Sequence, residues 1–375
     1  MHLFNVTQVA KVVLAATLAF PAVAHAGTFQ TIYTFGNGGN DGVSPMSPLI
    51  EKNGVLYGTT FRGGPSGDGT VYSFDVATST ETVITTAMGT FPFAPVVYHK
   101  DSLFGTTTAA DNGQGNIYSV NLETGSVANL YTFSRGESQA SPGALVEIGG
   151  KLYGTTYNAG NYNDGSVFAF DPATLTYTTL YSFTAGNDGK NPQGLIVNGG
   201  VLYGMATASG ANGHGTIFSI DPNTGAESTL YSFLGATDGA GPSGIVFHKG
   251  TIYGTASFGG ANNDGTLFAL NPGTGQLSLL FSFPGAAGGC TPGGQPTINR
   301  GHIYGITGSC GDQANQGILY DVSLKNGKEH VLHTFSNGPD GVSPEASLLL
   351  SNGVLYGTTS EGGANNAGTI FDYTP

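Results

Sequence analysis

The sequence predicts an all-β ring of seven blades, a β-propeller with four antiparallel strands per blade. Three observations predict it. The heptapeptide GVLYGTT stands at 54–60 and again at 353–359. An aromatic-Gly step recurs at Tyr57, Phe104, Tyr153, Tyr203, Tyr253, Tyr304 and Tyr356, at intervals of 47, 49, 50, 50, 51 and 52. The two ends of the chain carry complementary fractions of one repeat. Seven copies at a near-constant period make a repeat architecture the first reading.

One unit shows the internal plan: PQGLIVNGG (192–200), VLYGMAT (201–207), GTIFSID (215–221) and STLYSF (228–233). Each is a short β-rich run bounded by Gly, Asn, Asp or Pro, which gives strands A to D. Strands B to D hold apolar residues at consecutive positions, as a sheet covered on both faces requires. No segment sustains a 3.6-residue period, so a helical solenoid is excluded. The segment FQTIYTF at 29–35 reads as a D strand with no A, B or C before it, and the chain ends on GTIFDYTP, a C strand with no D after it. The first strand therefore completes blade 7 and closes the ring, removing the exposed edge a linear stack would leave.

The N-terminus is read separately. Lys11, the apolar run VVLAATLAF (12–20) and Ala24-His25-Ala26 form a secretory signal peptide over 1–26, too short to span a bilayer. Residues 27–375 are then one propeller domain with no membrane span, secreted or periplasmic and monomeric. Without the leader, ten basic face 24 acidic residues, a net charge of −14 that argues against nucleic acid as partner. Charged residues are only 9% and glycines number 62, which suits a turn-rich β protein. Disorder does not fit the regular apolar placement or the 22 Phe and 18 Tyr. In an exported chain the two cysteines, Cys290 and Cys310, are read as a disulfide, because a metal site would need further ligands at suitable spacing.

The LYGTT, GG, GT(V/I)F and LYSF steps resemble the kelch repeat and, more closely, the GloVer-type tandem repeats of exported bacterial proteins, over essentially all of 28–375. The resemblance implies a propeller and carries no activity. The chain departs from kelch in having no tryptophan.

A-B and C-D links are short, whereas the D-A and B-C links are longer and gather at one face, the natural mouth for a binding site. Lys52, Lys100, Lys151, Lys249, Arg300, Lys325 and Lys328 fall on the short-link side, and Arg62, Arg135 and Lys190 on the mouth side. The residue before the Gly that opens strand C is Asp68, Gln114, Asp164, His214, Asp264, Gln316 and Ala367, so His214 is the one imidazole in the series. With Arg135, Glu137, Tyr157, Tyr162 and Lys190 it forms a candidate sector on blades 3 and 4. A second group on blades 1 and 2 is Phe61, Arg62, Phe91 and Phe93. Aromatic faces beside Arg suit sugar rings, and suit loop packing equally.

DGxxP recurs at Asp41, Asp188, Asp238 and Asp340. Calcium could use such carboxylates, but recurrence in several blades favours a turn in which Asp bonds its own backbone. No cofactor and no metal is expected. GxSxG, HExxH and the Walker loop are absent. The leading function is ligand binding at the mouth, with a glycan or a surface protein as partner. The alternative is a lyase on uronate-containing chains, with Arg135 or Lys190 neutralising the carboxylate and His214, Tyr157 or Tyr162 taking the α-proton. A third reading is a structural component of the cell envelope.

Overall fold

The computed structural model describes residues 27–86, 91–108, 115–133, 143–311, 316–336 and 338–375. Among them lie seven four-stranded antiparallel sheets, one per blade, together with a two-stranded ribbon pairing Gly42–Val43 with Arg62–Gly63. In blade 4 the strands are Lys190–Asn198 (A), Val201–Ala208 (B), Thr216–Ile220 (C) and Glu227–Ser232 (D). Blade 7 takes A, B and C from Leu349–Ser351, Val354–Thr359 and Thr369–Thr374, and its D strand is Thr28–Thr34. The register Thr28↔Thr374 to Thr34↔Thr369 closes the ring as the chain ends predict. No helix among the described residues is long and apolar enough to cross a membrane.

The recurring letters have packing causes. Gly after the motif aromatic faces the ring of strand C across the pair: Gly58 meets Tyr72, Gly204 meets Phe218, Gly254 meets Phe268. Any Cβ there would strike the ring. The buried apolar side chains then form one cluster per blade interface. Met205, Ile217 and Phe233 of blade 4, for example, pack against Ile245, Ile252 and Phe268 of blade 5.

A second recurrent joint links one blade to the next at five junctions among the described residues. The carbonyl of the residue before the strand C Gly accepts the N–H of a left-handed residue in the following blade: Asp68 from Phe91 (3.0 Å), Asp164 from Asn191 (2.9 Å), His214 from Gly241 (3.0 Å), Asp264 from Thr291 (2.8 Å), and Ala367 from Ser44 (2.9 Å). The Gly itself lies against the next blade's Pro, as Gly215 does against Pro242. Gly215 has φ +97°, and a Cβ would sit 2.6 Å from both Ala206 O and Pro242 Cδ. Gly215→Ala is therefore expected to cost about 2 kcal/mol or more in chemical denaturation, whereas Gly213→Ala, with open space around it, should cost about 1 kcal/mol from its positive φ alone.

Each DGxxP aspartate anchors the crossing from one blade to the next. Asp188 accepts from Tyr181 Oη (3.0 Å), Thr184 N (2.8 Å), Thr184 Oγ1 (2.7 Å) and Gly186 N (3.1 Å). Asp238 accepts from Tyr231 Oη and Leu234 N, Asp41 from Tyr33 Oη, Asn37 N and Gly42 N, and Asp340 from Ser336 and His333. These bonds give the aspartate its turn-forming role. Hydrogen bonding to Asp188, after burial, also pushes the Tyr181 hydroxyl above its ordinary value.

Beside Asp41 lies Glu81, in a pocket formed with Tyr33 and Tyr72. Burial first, and then the Asp41 charge, lift its carboxyl from 4.5 to about 7. The group is therefore more readily protonated folded than unfolded, and stability from this source is full below pH 4.5 and lost as pH rises through 7. Discounted for partial exposure, the effect is about 1–2 kcal/mol. Glu81→Gln should raise the Tm at pH 8 and leave it nearly unchanged at pH 4, as a melting series across pH would show.

Candidate functional site

Every repeat carries a proline leading into or within strand A, and six of them, Pro45, Pro92, Pro192, Pro242, Pro292 and Pro344, are described. Each of the six is held against a Gly of the preceding blade and fixes where the next residues point. They point into the mouth. Met46, Phe93, Gly143, Gln193, Ser243 and Glu345, each next after its proline, and Gly294, two residues after Pro292, line a cavity of about 580 Å³, together with Phe61, Thr108 and Tyr157 from the ends of strands B. A second cavity of about 580 Å³ shares Pro48, Gln193 and Ser243 with it and continues down the central channel between apolar inner-strand residues such as Leu195, Ile245 and Leu348.

The mouth has two unlike sides. On blades 1 to 3, Phe61 stacks on Phe91 (centroids 4.7 Å, 24°) and meets Phe93 edge-on (6.3 Å, 83°). Phe93 is 49% exposed and Tyr157 36%, so both present ring surface to the cavity. Tyr157 is positioned by buried Asn191 of blade 4, whose Nδ2 donates to Tyr157 O and Asn158 Oδ1, both at 3.0 Å. On blades 4 to 7 stand Gln193, Ser243, Glu345 and Ser347. Ser243 Oγ donates to Pro292 O (2.8 Å), and Ser347 Oγ accepts from Gln295 N (2.6 Å), so both are oriented by the wall. Glu345 reaches solvent at the mouth, yet desolvation by the surrounding walls and then Glu361 hold its carboxyl above the ordinary range.

The sequence candidates separate. Phe61, Phe93 and Tyr157 come together on one cavity. Arg62 lies beside it, its guanidinium 5.7 Å from the Phe61 ring centroid. Tyr162 is 62% exposed on the outer part of the blade 3 loop and lines neither cavity. Lys190 is the first residue of strand A rather than part of a loop, and its ammonium binds Asp164 of blade 3 at 2.8 Å. His214 is exposed on the blade 4 loop, its ring against Gly235, where a Cβ would come within 2.6 Å of Nε2. Arg135 and Glu137 lie outside the described residues. Cys290 and Cys310 form the disulfide, with Cα atoms 5.4 Å apart, across the open end of the blade 6 A-B hairpin. Gln193, Ser243 and Glu345 were not sequence candidates. The signal for them is a variable residue after an invariant proline.

The fold recurs in solved structures. An oligogalacturonate lyase in complex with manganese is 14% identical, with a TM-score of 0.56 over 93% of this chain and 96% of that one. The extracellular domain of a putative one-component system from B. thetaiotaomicron is 10% identical, with a TM-score of 0.59 over 91% of this chain and 40% of that one. The computationally designed Ika8 protein is 13% identical, with a TM-score of 0.51 over 88% of this chain and 96% of that one. At these identities the likeness concerns the fold alone. No curated protein matches the sequence. A family model, that of the Gloeobacter/Verrucomicrobia repeat, matches residues 17–208, 84–255 and 194–375.

Proposed function

The chain belongs to the Gloeobacter/Verrucomicrobia repeat family, and we propose that this member is an exported, monomeric propeller that binds a neutral glycan at its mouth. The observation that carries the reading is the two-sided cavity, with exposed aromatic rings on blades 1 to 3 facing Gln193, Ser243, Glu345 and Ser347 on blades 4 to 7. A sugar ring is amphipathic in the same sense: its C–H face packs on an aromatic ring and its hydroxyls bond polar groups at the edge. The volume lies within the range of small-ligand sites. The leader at 1–26 lies outside the described residues, and the disulfide fits an oxidising compartment outside the cytoplasm.

A neutral ligand is favoured over a uronate. Among the described residues the cavity wall holds no Lys, Arg or His; Arg62 lies beside it against the Phe61 ring, and Lys190 is committed to Asp164. A lyase on acidic chains needs a cation at the sugar carboxylate, and the net charge repels such substrates at long range. The test is a glycan array with neutral and uronate-containing oligosaccharides, joined to an absorbance assay for unsaturated uronates. Retention of neutral glycans without turnover is expected. Turnover of uronates would replace the reading with the lyase, and silence in both would leave a structural envelope component.

A further inference from the structure

On the side of the ring away from the mouth, blade 6 breaks the repeat at three positions at once. Its strands B, C and D are His302–Ser309, Ile318–Ser323 and Glu329–Thr334. Tyr304 pairs with Asp321, Asp321 pairs with His330, and His302 stands two residues before Tyr304 on the same face. The equivalent trios elsewhere are Val55, Ser73 and Thr82; Ser102, Ser119 and Ala128; Lys151, Ala169 and Thr178; Val201, Ser219 and Ser228; Thr251, Ala269 and Ser278; and Val354, Asp372 and Gln30. The scaffold therefore asks for neither imidazole nor, in five blades, a carboxylate. Blade 6 alone supplies two histidines and an aspartate.

The three groups converge. His302 Nδ1 lies 2.7 Å and His330 Nδ1 3.1 Å from the same oxygen, Asp321 Oδ1, and all three atoms fall within 4.8 Å of one another. Asp321 is fully buried, whereas the histidine side chains are 22% and 29% exposed. Zinc–nitrogen and zinc–oxygen bonds near 2.1 Å place tetrahedral ligand atoms about 3.4 Å apart. The 2.7 and 3.1 Å contacts to Asp321 would open toward that spacing, with the two ring nitrogens already within 4.8 Å of each other. We propose that His302, Asp321 and His330 form a binding site for a divalent transition metal of the zinc type, with a fourth position open to water or an external ligand.

The donor set selects the metal class. Two imidazoles and one carboxylate suit zinc, copper or nickel better than calcium or magnesium, which prefer oxygen. Both rings would bind through Nδ1 in the neutral form, with the proton on Nε2. A second set, Asp264, Cys290 and Cys310 at the mouth end, is not an equal candidate, since the cysteines are joined in the disulfide and present no thiolate.

The experiment is calorimetric titration of tag-free, EDTA-stripped full-length protein with Zn²⁺ at pH 7.5. One saturable equivalent is expected. His302→Val and His330→Thr, which install residues that other blades carry at these positions, should each weaken binding at least tenfold. Zinc should raise the Tm of the parent and leave that of either variant unmoved. Imidazole ¹⁵N resonances of the parent provide a measurement independent of any variant, and zinc should shift those of His302 and His330 before those of His99, His214, His248 and His333. A parent that binds no zinc, variants that bind as the parent does, or shifts centred on other histidines would overturn the site.

Discussion

Deletion of residues 28–34 is expected to abolish cooperative thermal unfolding and to drive the protein to aggregate. That strand supplies the D position of blade 7, and six residue pairs from Thr28↔Thr374 to Thr34↔Thr369 hold it there. Without it the strand Thr369–Thr374 becomes a free edge whose N–H and C=O groups pair readily with another chain. The loss extends past hydrogen bonds. Ile32 and Tyr33 pack on the cluster of Phe35, Leu49, Leu56, Tyr72 and Phe74 that joins blade 7 to blade 1, and Phe29 stacks on His333 of blade 6 (3.6 Å, 3°). The strand therefore ties blades 6, 7 and 1 together. Phe29→Ala, a milder change, should retain a folded ring and cost about 2 kcal/mol in denaturation. A truncated protein that melts like its parent would contradict ring closure.

Replacing both Cys290 and Cys310 with serine is expected to destabilise the protein by about 3 kcal/mol, the chain-entropy value for a 20-residue closed loop. Cys290 opens strand A of blade 6 and Cys310 follows strand B, so the bridge fastens the mouth end of that hairpin. Gly311 N donates to Ala286 O (2.7 Å) in the crossing loop, so the bridge also steadies the short 3-10 turn Ala286–Gly288. Thiol titration of the denatured exported protein should find none free. Two reactive thiols, or an unchanged denaturation midpoint in the double variant, would contradict this role.

Much of the architecture was readable because a propeller writes its constraints into each repeat. The aromatic-Gly step survives in seven blades since the strand C ring covers Gly58, Gly204 and their equivalents. The terminal segments were readable as strands lacking their partners. The site was less so. Lys190 looked like a loop cation because the strand it begins is lengthened beyond the three-residue A strands of blades 1, 2, 3 and 7, and its partner Asp164 belongs to the preceding blade. Contacts between units 26 residues apart leave no mark in the repeat pattern. His302, Asp321 and His330 escaped for a related reason: strand pairing across a bulge at Leu319/Tyr320 sets which residues share a face. Gln193 and Ser243 had a signal, the variable residue after an invariant proline, but its direction depends on how Pro192 and Pro242 seat against Gly165 and Gly215.

In the proposed complex, ligand spans the aromatic and polar sides of the mouth. Calorimetric titration of one array-retained neutral oligosaccharide into four variants, Phe93→Ala, Gln193→Ala, Lys190→Ala and His214→Ala, decides whether it does. Stacking and hydrogen-bond terms of about 1–2 kcal/mol each predict roughly tenfold weaker binding for Phe93→Ala and Gln193→Ala, at nearly unchanged Tm. Lys190→Ala and His214→Ala, whose side chains lie off the cavity wall, should bind as the parent does. Full binding by Phe93→Ala and Gln193→Ala, with loss in Lys190→Ala or His214→Ala, would contradict the account and move the site to the outer loops of blades 3 and 4.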